Sequence, residues 1–518
     1  MNGVWDVVVV GAGSAGGVLA CRLSEDPGRS VLLLEAGPDY GTDSAEQPGD
    51  VATSPAATDS HDWGYVSEPG ALGRSVALTR GKLVGGSSAI NSAIALRGQP
   101  ADYDAWAAYG GDGWSFAEFL PSLRQVERDM DRADAYHGTQ GPVPVRRHGA
   151  DELNAHQRAF EAACLAEGHP RVADHNAPGA LGVGPVPVNR VDDVRQSTAL
   201  TYLARARGRA NLHVRAGVHV DRVVFEGGKA VGLRLADAGG TLVRARRTVL
   251  AAGAYGSPAV LMRSGIGPAE DLAALGIDVL ADLPGVGQGL REHPTVTLQF
   301  PVDVPLPPPT APVLQVYLTC PDPHTAGGVP TASREDGTVG LHLFPSGPEL
   351  LDDGTTGLTL WVALMRPHST GRLRPRTADP FAAPAIDPGL LRDPRDTDRL
   401  VAGLRLARRL ARTEPLAGLL GEERGPLAAT HSAAGLATAI RSVVNPYQHA
   451  AGTCRMGQPT DPDAVVGPDG AVNGTENLYV IDASVLPTLP TANTNLTTMA
   501  TAEHCAARPP WSPSLGSP

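Results

Sequence analysis

The sequence predicts an α/β fold whose first unit is a parallel β–α–β wind. Three observations near the start of the chain carry this. Residues 4–10 form a short β-branched apolar run bounded by glycine, which reads as a buried strand. A glycine-rich turn at residues 11–17 follows, and residues 18–24 have a short helical pattern. A second apolar run at 30–35 closes the unit within about 35 residues.

Bulk properties bound the rest. At 518 residues the chain is too long for one small core, and a norm of ~150 residues per domain suggests two large domains or about three. Hydrophobic residues make up 42% and charged residues 19%, as in a globular protein. A net charge of -12 argues against binding nucleic acid, whose phosphates require a basic surface, and against an anionic membrane. The five cysteines are widely spaced with no CxxC pair, so neither a zinc site nor a disulfide framework is expected, and no metal is assigned. The N-terminus lacks a secretory pattern and no apolar run reaches ~18 residues, so the expectation is a cytoplasmic protein without a membrane span.

Further along, residues 38–62 read as a surface excursion and 152–168 as a helix. Residues 212–236 read as strand pairs around the Glu226-Gly227-Gly228 turn, and 247–252 as a buried strand leading into Gly253. The Pro-, Thr- and Gly-rich stretch 301–338 reads as a loop or irregular lid. Residues 399–411 form an amphipathic helix with arginines on one side, and 477–481 a strand running into Asp482. The tail from 508 reads as disordered.

The turn Gly11-Ala12-Gly13-Ser14-Ala15-Gly16 is a GxGxxG between a strand and a helix. Gly11 permits the tight turn, Gly13 lets backbone approach a pyrophosphate, and Gly16 lets helix pack on sheet. The helix N-terminus offers free N–H groups to phosphates. Glu35, at the end of the second strand and followed by Ala36, is placed to accept from ribose hydroxyls and would repel a 2′-phosphate. FAD or NAD is therefore favoured over NADP, and the fingerprint alone does not choose between them.

Four further segments make that choice. Arg80-Gly81-Lys82-Leu83-Val84-Gly85-Gly86-Ser87-Ser88-Ala89-Ile90-Asn91 resembles the first signature of the glucose–methanol–choline (GMC) oxidoreductases, continuing through Leu96-Arg97-Gly98 to Trp106. Gly253-Ala254-Tyr255-Gly256-Ser257-Pro258 with Ser264–Gly267 resembles the second. Arg366-Pro367-His368-Ser369-Thr370-Gly371 is similar to a strand of the family's substrate domain. His449–Gly457 and Asp482-Ala483-Ser484 through Asn493-Thr494-Asn495 resemble its C-terminal active-site segments. The order is that of the family, and the similarity is strongest to the choline-dehydrogenase-like branch.

The resemblance implies FAD. By resemblance Val84, Gly86 and Asn91 lie beside the flavin, Val220 offers backbone to the adenine, and Gly253, Asp482, Ala483 and Thr494 complete the cofactor site. Some relatives attach FAD through a histidine in the first segment. The corresponding residue here is Ile90, so non-covalent FAD is expected. His449 is implied as the base that takes a hydroxyl proton while hydride passes to flavin N5, a role suited to a side chain near neutral pKa. Asn493 would hydrogen-bond the substrate oxygen, with Asn495 its competitor. Cys454 is assigned to packing, and His342 and His368 are further pocket candidates. In Glu292-His293 the glutamate replaces the family's usual aspartate, which puts the local hydrogen bonding in question.

The implied architecture is a discontinuous, doubly wound, Rossmann-like FAD domain with an inserted α+β substrate domain on a largely antiparallel sheet. The FAD-binding parts are 1–150, 190–292 and 445–508; the substrate parts are 151–189 and 293–444; 509–518 is a disordered tail. The expected partners are a small alcohol and either oxygen or another electron acceptor, with the oligomeric state open. A hydroxynitrile-lyase-like lyase, a photodecarboxylase and a non-catalytic flavin-binding protein remain alternatives at this point.

Overall fold

The computed structural model describes residues 3–321, 338–351 and 353–511. Two sheets organise the chain. In the first, strand Leu212–Arg215 pairs with Val31–Leu34, then Trp5–Val10, then Leu242–Leu250, all parallel, and Leu478–Val480 adds parallel to the last of these. Val7–Val9 are fully buried, because helices cover both faces of a parallel sheet and its strands become continuous apolar runs. The antiparallel hairpin Val220–Glu226 and Lys229–Leu235 extends the outer end of Leu242–Leu250. The helix after the glycine turn runs Ser14–Leu23, four residues earlier than periodicity suggests. Small residues such as Ser14 and Ala15 do not register as an apolar stripe, although here the turn packs them on the sheet.

The second sheet is wholly antiparallel, with six strands in the order Asn445–Pro446, Pro294–Pro301, Thr356–Leu364, Leu341–Leu350, Val316–Cys320 and Gly182–Pro185. Side chains alternate across it. Val296, Leu298, Leu343, Leu360, Val362 and Leu318 enter a core with helices Ala155–Ala166, Pro394–Ala411 and Ala433–Val443. Their neighbours Thr295, Thr297, Phe344, Ser346 and Trp361 face the cavity described below. The sheet thus gives one face to stability and the other to a site.

Several expectations are corrected. The 301–338 stretch is not all loop: Val316–Cys320 is a buried strand of the antiparallel sheet, between Leu341–Leu350 and the edge strand Gly182–Pro185, while the part from 322 to 337 lies outside the described residues. The Arg366–Thr370 segment is irregular, and the strand begins only at Gly371 (Gly371–Arg374). That strand and Ala385–Asp387, assigned by sequence to the substrate unit, pack through Leu373 and Ile386 on the core of the first sheet. Not all arginines of helix Pro394–Ala411 face solvent. Arg408 is buried and held by Glu423 and the carbonyls of Leu427 and Thr430. The disordered tail does not begin at 508 or 509, because Trp511 is 2% exposed and packs against Tyr479; residues 512–518 lie outside the described part. All five cysteines are free and buried. Among the described residues no helix is long and apolar enough to cross a membrane.

Candidate active site

A cavity of ≈ 970 Å³ runs between the two sheets. Its first half is built at the carboxyl ends of the parallel strands, where the order reverses around Trp5–Val10, the usual ligand crevice of such sheets. Gly11, Gly13, Ser14 and Ala15 line it from the turn, and Glu35 and Ala36 from the next strand. Gly86 and Asn91 come from the first signature, Val220 from the hairpin and Gly253 from the second signature. Asp482, Ala483, Asn493 and Thr494 come from the C-terminal segments.

Two expected residues are off the wall. Gly16 lies behind the turn, where a Cβ would stand 1.8 Å from the Gly11 carbonyl oxygen; its place is in helix packing, the job its position in the motif predicts. Val84 is buried at 3% exposure and lies behind the cavity wall, between Lys82 and Gly86, which line it. His342 is buried behind the wall and His368 is exposed away from it.

The first half fits a long dinucleotide. Gly86 has φ +51°, and a Cβ there would meet the Gly13 Cα at 2.6 Å, so two signatures far apart in sequence form one shallow, side-chain-free cradle. Ser14, at the first turn of its helix, donates to Asn495 Oδ1 at 2.7 Å, which leaves the buried Asn495 Nδ2 as a donor without a protein partner at the cavity wall. Glu35 accepts from the Ala12 and Gly37 N–H groups at 2.9 Å each, and burial pushes its carboxyl up despite them. Asp482 lines the cavity and also braces its wall. Its oxygens already accept from Gly253 N (2.8 Å), Ser257 Oγ (2.5 Å), Ser484 N (2.8 Å) and Ser484 Oγ (2.6 Å), so the carboxylate fixes the turn before helix Gly253–Arg263. Ile90 packs with Val51, Leu83 and Ala89, away from the cavity.

The second half lies against the antiparallel sheet and meets the first at His449 and Asn493. His449 Nε2 is 3.1 Å from Asn493 Nδ2, and its Nδ1 is 2.9 Å from His293 Nδ1. The residue before it, Gln448, has φ +68°, a costly conformation for a non-glycine residue. Arg80 Nη1 holds that side chain at 3.1 Å, and the amide donates to the Ala77 carbonyl. Glu292 Oε1 accepts the backbone N–H of both His449 (2.7 Å) and His293 (2.9 Å), and its other oxygen lies 3.6 Å from Arg80. Burial holds His449 well below the ordinary histidine value, with His293, Arg80 and His342 adding to the effect. The imidazole is therefore neutral, with a lone pair to offer. Burial raises Glu292 to about 7, against the opposing pull of Arg80 and the two N–H donors. Phe344, Trp361 and Tyr447 wall the space beyond, and the Tyr447 ring sits 4.4 Å from His449.

Glu292, His293, Arg80 and Tyr447 are the site residues that sequence reasoning missed as such. The available signals were the Glu-for-Asp exchange beside His293 and the place of Arg80 at the head of the first signature. The second-signature neighbour Tyr255 joins them, its ring lying under the Arg80 guanidinium at 4.9 Å.

The GMC oxidoreductase family matches this chain twice, over residues 5–295 and 367–502. It is 37% identical to 5-(hydroxymethyl)furfural oxidase of Methylovorus sp., across 97% of this chain and 98% of that protein. It is 35% identical to human mitochondrial choline dehydrogenase, across 97% of this chain and 89% of the relative. Its fold superposes on the crystal structure of pyridoxine 4-oxidase from Mesorbium loti with a TM-score of 0.88 at 33% identity, covering 97% and 98% of the two chains. FAD is the cofactor that the cradle takes, and the chemistry is that of an alcohol oxidoreductase. With both family segments in place and its two sheets closing on a shared cavity, the chain belongs to the GMC oxidoreductases, on their choline-dehydrogenase-like branch.

Proposed function

We propose that the chain oxidises an alcohol to an aldehyde or ketone, with His449 as the base and Asn493 as the group that holds the substrate oxygen. The observation that carries this is the pairing of His449 Nε2 with Asn493 Nδ2 at 3.1 Å, on the wall where the two halves of the cavity meet. A hydroxyl entering there replaces that direct bond. Its proton passes to Nε2, and its oxygen accepts from the Asn493 amide as negative charge develops. Bound FAD supplies the two-electron acceptor for the hydride that leaves the alcohol carbon. The aromatic walls exclude water and present flat apolar surface to the rest of the substrate. Asn493 Oδ1 is buried without a protein partner, so one side of this amide is also free to accept from substrate.

The test is the visible spectrum of the purified holoenzyme under anaerobic conditions, before and after a panel of alcohols. Bleaching of the flavin band is expected; admitting air then separates fast reoxidation, as in an oxidase, from slow reoxidation, as in a dehydrogenase. A flavin that no alcohol bleaches while the same protein splits a cyanohydrin would replace this reading with a lyase. Ile90 in the attachment position leads us to propose that FAD is held non-covalently, so acid precipitation should leave the yellow colour in the supernatant.

A further inference from the structure

We propose that His293 is a positioning residue that sets the tautomer of His449, so that the lone pair of the base faces the substrate. The inference rests on the role proposed for His449. It starts from a contact between two rings 156 residues apart, Nδ1 to Nδ1 at 2.9 Å, with the rings near-perpendicular at 85°. Two imidazole nitrogens at that distance need one proton between them, so one ring donates and the other accepts.

The other side of His449 says which. With the Asn493 amide oriented to donate, Nε2 of His449 must be bare, and the ring's proton sits on Nδ1. That proton points at His293, which accepts it with its own Nδ1. Both rings are neutral, because burial lowers His293 to about 3 and His449 well below its ordinary value. The groups facing the pair are Glu292, Arg80, Asn493, Tyr447 and His342. Glu292 accepts both backbone N–H groups rather than a ring proton, so the carboxylate locks the two main chains while leaving both rings to each other. His342 is itself neutral, its pKa held well down by burial.

The arrangement also handles the proton once it is taken. When Nε2 accepts a hydroxyl proton, the imidazolium formed still donates from Nδ1 to His293, and that hydrogen bond becomes charge-assisted and stronger. No proton leaves the pair, and no bond beyond the O–H is broken on this side of the reaction. Without the acceptor, the neutral ring is free to carry its proton on Nε2, where it cannot act as a base.

The experiment uses holoenzyme labelled with 15N-histidine. Two-bond 1H–15N correlations read the tautomer of each ring, and His449→Asn identifies the signals of His449. In the wild type His449 is expected as the Nδ1–H form. His293→Leu, which keeps bulk but removes the acceptor, should move the proton to Nε2 and slow flavin reduction by about 10²-fold, the usual cost of a misdirected group. It should also shift the acid limb of the pH–rate profile. His293→Asn places an amide oxygen where Nδ1 stood and should restore the Nδ1–H form and most of the rate. A wild-type His449 protonated on Nε2 would overturn the proposal. So would a Leu variant with unchanged tautomer and rate, or Leu and Asn variants equally impaired in both. If His449→Ala reduces its flavin as fast as wild type, the base reading fails instead, while the tautomer spectra still decide whether His293 sets the ring.

Discussion

His137 and His449 are both buried, at 1% and 7% exposure, and they carry opposite states of charge. His137 lies among carboxylates: its Nδ1 is 2.8 Å from Glu127 and 3.0 Å from Asp129, and its Nε2 is 2.9 Å from Asp174. Burial alone would lower it, but those three acceptors raise it to about 10. Arg147 bridges Asp129 and Asp174, and Arg97 lies 3.3 Å from Glu127. Arg132 also lies 4.0 Å from Asp174, so the three acids face the imidazole and three guanidiniums. Glu127, Asp129 and His137 are close enough to hold a metal ion, but the imidazolium and the guanidiniums already supply that charge. His449 has no carboxylate on its ring, only a second neutral imidazole and an amide. The same residue type thus serves as a fixed cation in one place and as a proton acceptor in the other. What touches the ring nitrogens differs sharply: three carboxylates at His137, a neutral imidazole and an amide at His449.

Breaking the comparison at its functional end should have the largest effect. His449→Ala is expected to slow flavin reduction by alcohol about 10²–10⁴-fold with the fold intact, measured by anaerobic stopped flow. At the structural end, His137→Leu removes the one side chain that bonds all three buried acids. It should cost about 3–5 kcal/mol in urea unfolding, yet leave the reduction rate of folded holoenzyme unchanged. A loss of rate per bound flavin would join the two regions and defeat the contrast. Asn493→Ala removes the donor to the developing alkoxide and should cost about 10²–10³-fold in kcat.

The smallest effect per step sharpens the contrast through pH. His449 and His293 have folded pKa values below the unfolded value near 6.5. Their stability contribution is full above that value and falls as pH drops below it, by about 1.4 kcal/mol per pH unit for each group. His137 runs the other way. Its contribution is full below about 6.5 and is lost as pH rises toward about 10. Melting temperatures across pH 5 to 10 should therefore lose their alkaline limb in His137→Leu and keep their acid limb.

How far these features could be read from sequence follows from how local they are. The GxGxxG turn and strands Trp5–Val10 and Val31–Leu34 were legible, because a glycine turn between apolar runs is written in consecutive residues. Val316–Cys320 was not: five residues flanked by proline-rich sequence carry no period, and its burial comes from partners at 182–185 and 341–343. Trp511 looked like part of a loose tail for the same reason, its pocket being supplied by Tyr479 and Arg247. At the site, His449 and Asn493 were reached through family resemblance. The carboxylate of Glu292, which ties His449 to His293, was visible only as a departure from the family pattern. The arginines of helix Pro394–Ala411 misled because spacing reports a face and not what lies against it; Arg408 meets Glu423, which arrives from a later loop.

The parallel sheet closes with Leu478–Val480, and the cavity wall ends at Thr498, although the wall opens at Val10. During synthesis on the ribosome, the first glycine turn is therefore made long before the 482–498 part of the same wall exists. A chain that stalls or is cut anywhere before residue 482 lacks Asp482, Asn493 and Asn495 together. Its cavity is open along that side. The wall that faces the cofactor is thus the last part of the site to be made.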